Sequence, residues 1–291
     1  MTSAKLTASV IRLASGRELS FCEFGDPAGT PVFGFHGTPG SRLQLQPTSS
    51  SPLGAGIRLI IPDRPGYGHS TFYDTRRLID WPADVTAIAE FLDIDRFAVF
   101  GVSGGGPHAL VCAHHLADRL LGVACVSGVG QLGDARAAEG MMRLNRILNT
   151  LAKHAGWLVR ALFSAQFAYI KRRPEQAWDV MVRQLPQADR RILGEPELRA
   201  NMIDDLRRNS ATTPRAAAQD FALFAKDWGF SLADIRIPVH FYQGSVDRNV
   251  PAHHAELLAA ATPGAILHRY PGEGHFLVVE RLPEILADIA T

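Results

Sequence analysis

The chain has 291 residues, 46% of them hydrophobic, enough to bury one large core with an insertion. Its 30 Lys and Arg against 29 Asp and Glu leave a formal net charge of +1. That balance, with no contiguous polybasic segment and no apolar run long enough to cross a bilayer, predicts neither a nucleic-acid partner nor a membrane.

Residues 1–10 carry no apolar leader core, which predicts a cytoplasmic protein. Strand-like runs follow at 8–13 and 18–24, close enough to pair as a hairpin through Ser15-Gly16. Further strand-like runs lie at 31–36 and 57–62. From Trp81 to Leu92, the apolar Val85, Ile88, Ala89 and Leu92 recur at helical spacing. Strand-like runs at 96–102 and 120–127 then flank a helical stretch beginning near Pro107.

After Gly130 the strand pattern stops until about residue 237. Met141, Leu144, Leu148 and Leu151 make one helical stripe in that gap, and Trp157, Ala161, Phe163, Phe167 and Ile170 suggest another. Pro174, Pro186, Pro196 and Pro214 divide the segment into short helices. Its paired arginines, such as Arg172-Arg173, read as solvated faces. Runs at 237–243 and 265–270 close the strand pattern. The whole predicts an α/β protein: a mostly parallel eight-stranded sheet flanked by helices, with one antiparallel strand near its start. Residues 1–130 and 231–291 form the expected core, and 131–230 an inserted helical cap.

Gly101-Val-Ser103-Gly-Gly105 falls between a predicted strand and a predicted helix. A serine there must occupy a sharp turn. Glycines at 101 and 105 remove the Cβ atoms that would obstruct it, and the hydroxyl is left exposed at the carboxyl edge of the sheet. The glycines do not match a phosphate-binding fingerprint, since no G-K-[ST] follows.

A serine hydroxyl needs a base and a group to orient that base. Asp247 lies just past the run at 237–243 and His275 just past the run at 265–270, so a parallel sheet brings both to the edge that carries Ser103. Asp134, after the run at 120–127, is the rival acid, but Asp247 alone occupies the strand–loop–helix position. An imidazole at 275 is expected near its ordinary pKa of about 6.5. The turn His36-Gly37-Thr38-Pro39-Gly40 follows the strand at 31–36. Pro39 has no N–H to offer, so the backbone N–H groups of Thr38 and Gly104 are the candidate oxyanion donors, with His36 bracing the turn.

With His36-Gly-Thr-Pro-Gly40, Asp63-Arg-Pro-Gly-Tyr-Gly-His-Ser70, Gly101-Val-Ser-Gly-Gly105, Gly244-Ser-Val-Asp247 and Gly272-Glu-Gly-His275 in this order, the chain resembles the α/β-hydrolase superfamily from about residue 8 to the end, the middle segment excepted. The resemblance implies a catalytic triad of Ser103, Asp247 and His275 and does not settle the substrate; the reading adopted is a cofactor-independent serine hydrolase acting on an ester of a small-molecule apolar substrate. Carbon–carbon bond hydrolases, perhydrolases and a slow-turnover receptor-like protein share the same triad and stay open as alternatives. No metal-ligand spacing and no cofactor fingerprint is present, so neither is expected. Cys22, Cys112 and Cys125 read as buried free thiols.

Overall fold

The apolar runs form eight strands: β1 (Ser9–Arg12), β2 (Glu18–Gly25), β3 (Thr30–Phe35), β4 (Ile57–Pro62), β5 (Phe97–Val102), β6 (Leu120–Val126), β7 (Val239–Gly244) and β8 (Ile266–Tyr270). The structure, a computed structural model, describes residues 8–131, 139–208 and 213–290. The strands join in one sheet in the order β1-β2-β4-β3-β5-β6-β7-β8. β2 runs against both of its neighbours, and every pairing from β4 to β8 is parallel. The expected sheet, with its one reversed strand, is present.

Alternate residues of the same strands feed two cores, as the two-residue strand period requires. Phe33 and Val99 pack with α1 (Trp81–Phe91) and α2 (Gly106–His115), while Val32, Ala98 and Phe100 pack on the side of α10 (Val278–Ile289). All six residues of β5 are therefore buried. In α1 the buried Val85, Ile88 and Ala89 keep the predicted spacing, and Pro82 sits in the first turn, where its missing N–H leaves no helical bond unmade. α9 (His253–Ala261) lies between β7 and β8 in the chain and adds Leu258 to the first core.

Between β6 and β7 the described residues form six helices, α3 (Arg143–His154), α4 (Gly156–Arg172), α5 (Pro174–Arg183), α6 (Gln187–Leu193), α7 (Pro196–Arg208) and α8 (Thr213–Phe224). Prolines 174 and 196 begin helices, Pro186 caps one, and Pro214 sits in a first turn, so each stands where it displaces no helical hydrogen bond. Val159, Phe163, Phe167 and Ile170 bury one face of α4 against Leu148 and Ala217, a core of the inserted helices themselves. Trp178, Ile192 and Leu193 instead join the cluster that holds Leu277 and Leu282, which packs these helices onto the α10 side of the sheet.

Candidate active site

Ser103 follows β5 directly and opens a single 3-10 turn, residues Ser103–Gly105, that leads into α2. Its φ is +56°, in the left-handed region, which costs a residue with a side chain about 1–3 kcal/mol. The turn closes only because its glycines are bare. A Cβ on Gly101 would lie 2.1 Å from the Gly105 carbonyl oxygen, and one on Gly105 would lie 2.1 Å from the Phe35 carbonyl oxygen. Two glycines thus let strand, turn and oxyanion loop touch, as the sequence implied.

Asp247 and His275 come together as predicted. His275 Nδ1–H donates to Asp247 Oδ2 at 2.7 Å, and the Asp247 side chain is fully buried. The other oxygen of Asp247 accepts the N–H groups of Asn249 and Val250 at 2.8 and 2.9 Å. The loop after β7 therefore fixes the carboxylate before it meets the imidazole. The rival, Asp134, lies outside the described residues. The expectation of an ordinary His275 pKa is corrected: burial of the ring opposes its charge, but the adjacent Asp247 carboxylate and the more distant Asp189 more than offset this and hold it above its usual value.

Other buried histidines are engaged elsewhere. His36 Nδ1–H donates to the Gly37 carbonyl at 2.9 Å and Nε2 accepts the Arg64 N–H at 3.2 Å, a network that assigns the neutral tautomer and braces the turn. Burial and the Arg64 charge both keep its pKa well below the usual value. His108 Nδ1–H donates to the Gly104 carbonyl at 2.9 Å. His254, in the first turn of α9, is buried and accepts the Gly130 N–H at 3.0 Å.

The oxyanion turn follows β3. Gly37 N–H is taken by Gln44 Oε1 at 2.6 Å, so Thr38 N–H stays the candidate donor of that turn. Gly104 opens the helical turn, where amides lack intrahelical partners, and its backbone lies against Thr38: a Cβ on it would be 3.2 Å from Thr38 N.

What the sequence did not reveal is the clamp beneath this turn. Asp220 of α8 is fully buried and accepts Thr38 Oγ1 at 2.6 Å, Tyr67 Oη at 2.7 Å and Arg64 Nη2 at 2.7 Å, with Arg76 on its second oxygen. Arg64 also donates to the carbonyls of His36 and Gly37 and to Thr38 Oγ1. Burial alone would push the Asp220 carboxyl up, yet the Arg64 and Arg76 charges and the Thr38 hydrogen bond hold it well below the usual carboxylate range.

A second acid from the insertion reaches the base loop. Asp189 of α6 is buried and accepts the Phe276 N–H at 2.9 Å, one residue past His275, while its other oxygen has no partner. Burial raises its pKa, against the lowering by that N–H and by His275. Gly274 makes room for it: a Cβ there would lie 2.3 Å from the Asp189 carboxylate.

These parts converge on one cavity of about 390 Å³, bordered on the sheet side by Thr38, Ser103, Gly104 and His275 and on the helical side by residues such as Phe167 and Trp178. Among the described residues, no Lys or Arg lines it, and Asp205 is its one acid.

A family model for the alpha/beta hydrolase fold matches residues 30–282. The chain belongs to the α/β hydrolase fold family. It is 25% identical over 242 residues, 77% of this chain and 72% of the other, to a 2-hydroxy-6-oxo-6-phenylhexa-2,4-dienoate hydrolase of Burkholderia cepacia. Among solved structures it resembles a bromoperoxidase from Bacillus anthracis (TM-score 0.70, 18% identity, 97% of this chain and 98% of that one). An enol-lactonase from Burkholderia xenovorans is as similar (TM-score 0.68, 20% identity, 96% and 98%). So is an esterase from Exiguobacterium antarcticum (TM-score 0.65, 18% identity, 97% and 98%). At these identities the structural likeness establishes the fold.

Two other groups of this hydrolase bear on its chemistry. All three cysteines are free and buried, and burial pushes the Cys125 thiol up to about 12, so none offers a thiolate to rival Ser103. His240, His268 and Asp288 are the one trio among the described residues close enough to share a metal ion. Their rings lie nearly in parallel planes with nitrogens 3.1 Å apart and centroids 5.3 Å apart. Asp288 Oδ2 lies 3.8 Å from the His240 nitrogen and 4.0 Å from the His268 nitrogen. None of the three borders the cavity.

Proposed function

We propose that this hydrolase cleaves a neutral, apolar ester through a covalent acyl-enzyme. Ser103 Oγ attacks the carbonyl carbon, and His275 takes the proton. Asp247 fixes the tautomer with the proton on Nδ1 and stabilises the imidazolium. The Thr38 and Gly104 N–H groups receive the oxyanion. His275 then protonates the departing alcohol, and water, activated by the same imidazole, releases the acid. In this reading residues 131–230 act as a cap that encloses the substrate.

The observation that carries the proposal is the buried His275–Asp247 hydrogen bond at the same cavity as a serine held at positive φ. Choice of substrate class rests on the lining. A dienoate, as in the name of the Burkholderia cepacia relative, bears a carboxylate that is costly to bury without a cation. Among the described residues the cavity offers none, and Asp220 holds Arg64 and Arg76 away from it. That supports neutral ester cleavage over carbon–carbon bond hydrolysis of such an acid.

The test pairs a fluorophosphonate probe with a substrate panel. Wild-type protein should be labelled and Ser103→Ala should not, with the esterase rate lowered by roughly 10⁴- to 10⁶-fold. Neutral p-nitrophenyl esters should turn over steadily. Labelling that persists in Ser103→Ala overturns the nucleophile, a dienoate cleaved faster than every ester overturns the substrate class, and a single acylation without turnover supports the receptor-like reading.

A further inference from the structure

The charge of the chain is unevenly placed. Residues 143–183 hold eight Lys and Arg against two acids, a net of +6 in a chain of +1, so the remainder is net −5. The two acids, Glu175 and Asp179, are both engaged by Arg199, at 2.6 and 3.2 Å. Arg143, Arg146, Arg160, Lys171, Arg172 and Arg183 are exposed, and none makes an ion pair with a described residue.

The same three helices expose large apolar side chains. Trp157, near the start of α4, is 74% exposed, and Leu144, Ile147, Leu162, Tyr169 and Val180 are exposed beside it in the chain or on adjoining helices. Leu144, Tyr169, Val180 and Met181 also border the cavity, so its mouth opens among them. A soluble surface has no use for an apolar mouth set in a field of unpaired cations, whereas an interfacial surface combines those two features.

We propose that α3, α4 and α5 dock on an anionic lipid surface, with the apolar rim of the cavity pressed into the headgroup layer. Aromatic and aliphatic side chains would enter the interface, Trp157 foremost, and the arginines would meet the lipid charges. A second copy of the chain is the weaker occupant, because a two-fold contact would set one +6 face against another. A protein partner would seal the mouth, while a lipid surface leaves it facing the apolar phase. The expectation of no membrane partner rested on net charge and contiguous sequence. In the fold the helices that carry these cations pack against one another, α3 on α4 and α4 on α5.

Co-sedimentation with vesicles tests this, using phosphatidylcholine alone and phosphatidylcholine mixed with phosphatidylglycerol. Wild-type protein should bind the mixed vesicles at low salt and lose them at high salt. The Arg160→Glu/Arg172→Glu double variant should bind at least about 30-fold more weakly, given the usual worth of a basic residue near an anionic surface. Trp157→Ala should weaken binding several-fold and keep the salt dependence. All three positions are exposed, so thermal melting should be unchanged, and Ser103→Ala should bind like wild type, which separates docking from the proposed hydrolysis. No binding to mixed vesicles, equal binding to both compositions, or a double variant that binds like wild type would overturn the proposal. So would a dimer in light scattering that Trp157→Ala dissociates, since this face would then belong to a second copy.

Discussion

The turn after β3 and the loop that carries His275 reach the same cavity, and α8 and α6 each grip one of them with a buried carboxylate, their pKa values moved in opposite directions. Asp220 meets two guanidinium groups and two hydroxyls, and is driven firmly to its charged form. Asp189 meets backbone N–H groups of the His275–Phe276 loop and no guanidinium or hydroxyl, keeps one oxygen bare, and has a raised pKa. In the proposed mechanism the first is a scaffold under a turn that would hold two amides still. The second is a lightly satisfied carboxylate beside the imidazole that would gain and lose a proton. Pre-organisation and tuning are thus carried by separate residues, although both come from the insertion.

The comparison can be broken most severely on the base side. Asp247→Asn should keep the fold and lower kcat by about 10⁴, through loss of the tautomer-fixing charge, as measured in steady-state ester hydrolysis. A loss below tenfold would mean that another group orients His275. On the oxyanion side, Asp220→Asn leaves Arg64 and Arg76 buried without a counter-charge, and urea unfolding should report a loss of about 3–5 kcal/mol. kcat should also fall, by up to roughly 10²-fold as the donors shift, with KM little changed. Stability within experimental error of wild type would remove the scaffold role.

Asp189→Asn sharpens the contrast with the smallest effect. Folding raises the Asp189 pKa, so its contribution favours the folded state when protonated and is lost as pH rises through that value. The neutral amide should therefore preserve stability at neutral pH or raise it by up to about 1 kcal/mol, opposite in sign to Asp220→Asn. The catalytic signature is a shift. Hydrolysis needs neutral His275, so the rate rises with pH through the His275 pKa, which stands above its ordinary value. Without the Asp189 charge, the acid limb of the kcat/KM profile should move to lower pH. An unmoved limb would confine Asp189 to packing the loop.

The sequence exposed the features that are local or ordered along the chain. Strand bounds, the glycine pair around Ser103, and Asp247 and His275 after their strands are all set by short-range sterics and by one rule about strand ends. The clamps were hidden because each acid acts on a partner far away in the chain. Asp220 lies in Ala-Ala-Ala-Gln-Asp220-Phe-Ala-Leu-Phe, an acid on an apolar face between the buried Ala217 and Phe224. That violation of the pattern was the available signal. Asp189 left none, since Gln-Ala-Asp189-Arg-Arg reads as an ordinary first turn with a favourable acid. The His275 shift was illegible for the same reason, as part of it comes from Asp189.

The Thr38–Asp220 hydrogen bond spans 182 residues. Chains emerge from the ribosome N-terminus first, so the turn that should receive an oxyanion is synthesised long before the carboxylate that secures it. Until α8 arrives, Arg64 and Arg76 have no counter-ion and cannot settle into the interior. Nascent or truncated chains ending before α8 are thus denied a finished core beneath the turn, and under the proposed mechanism they should lack esterase activity as well.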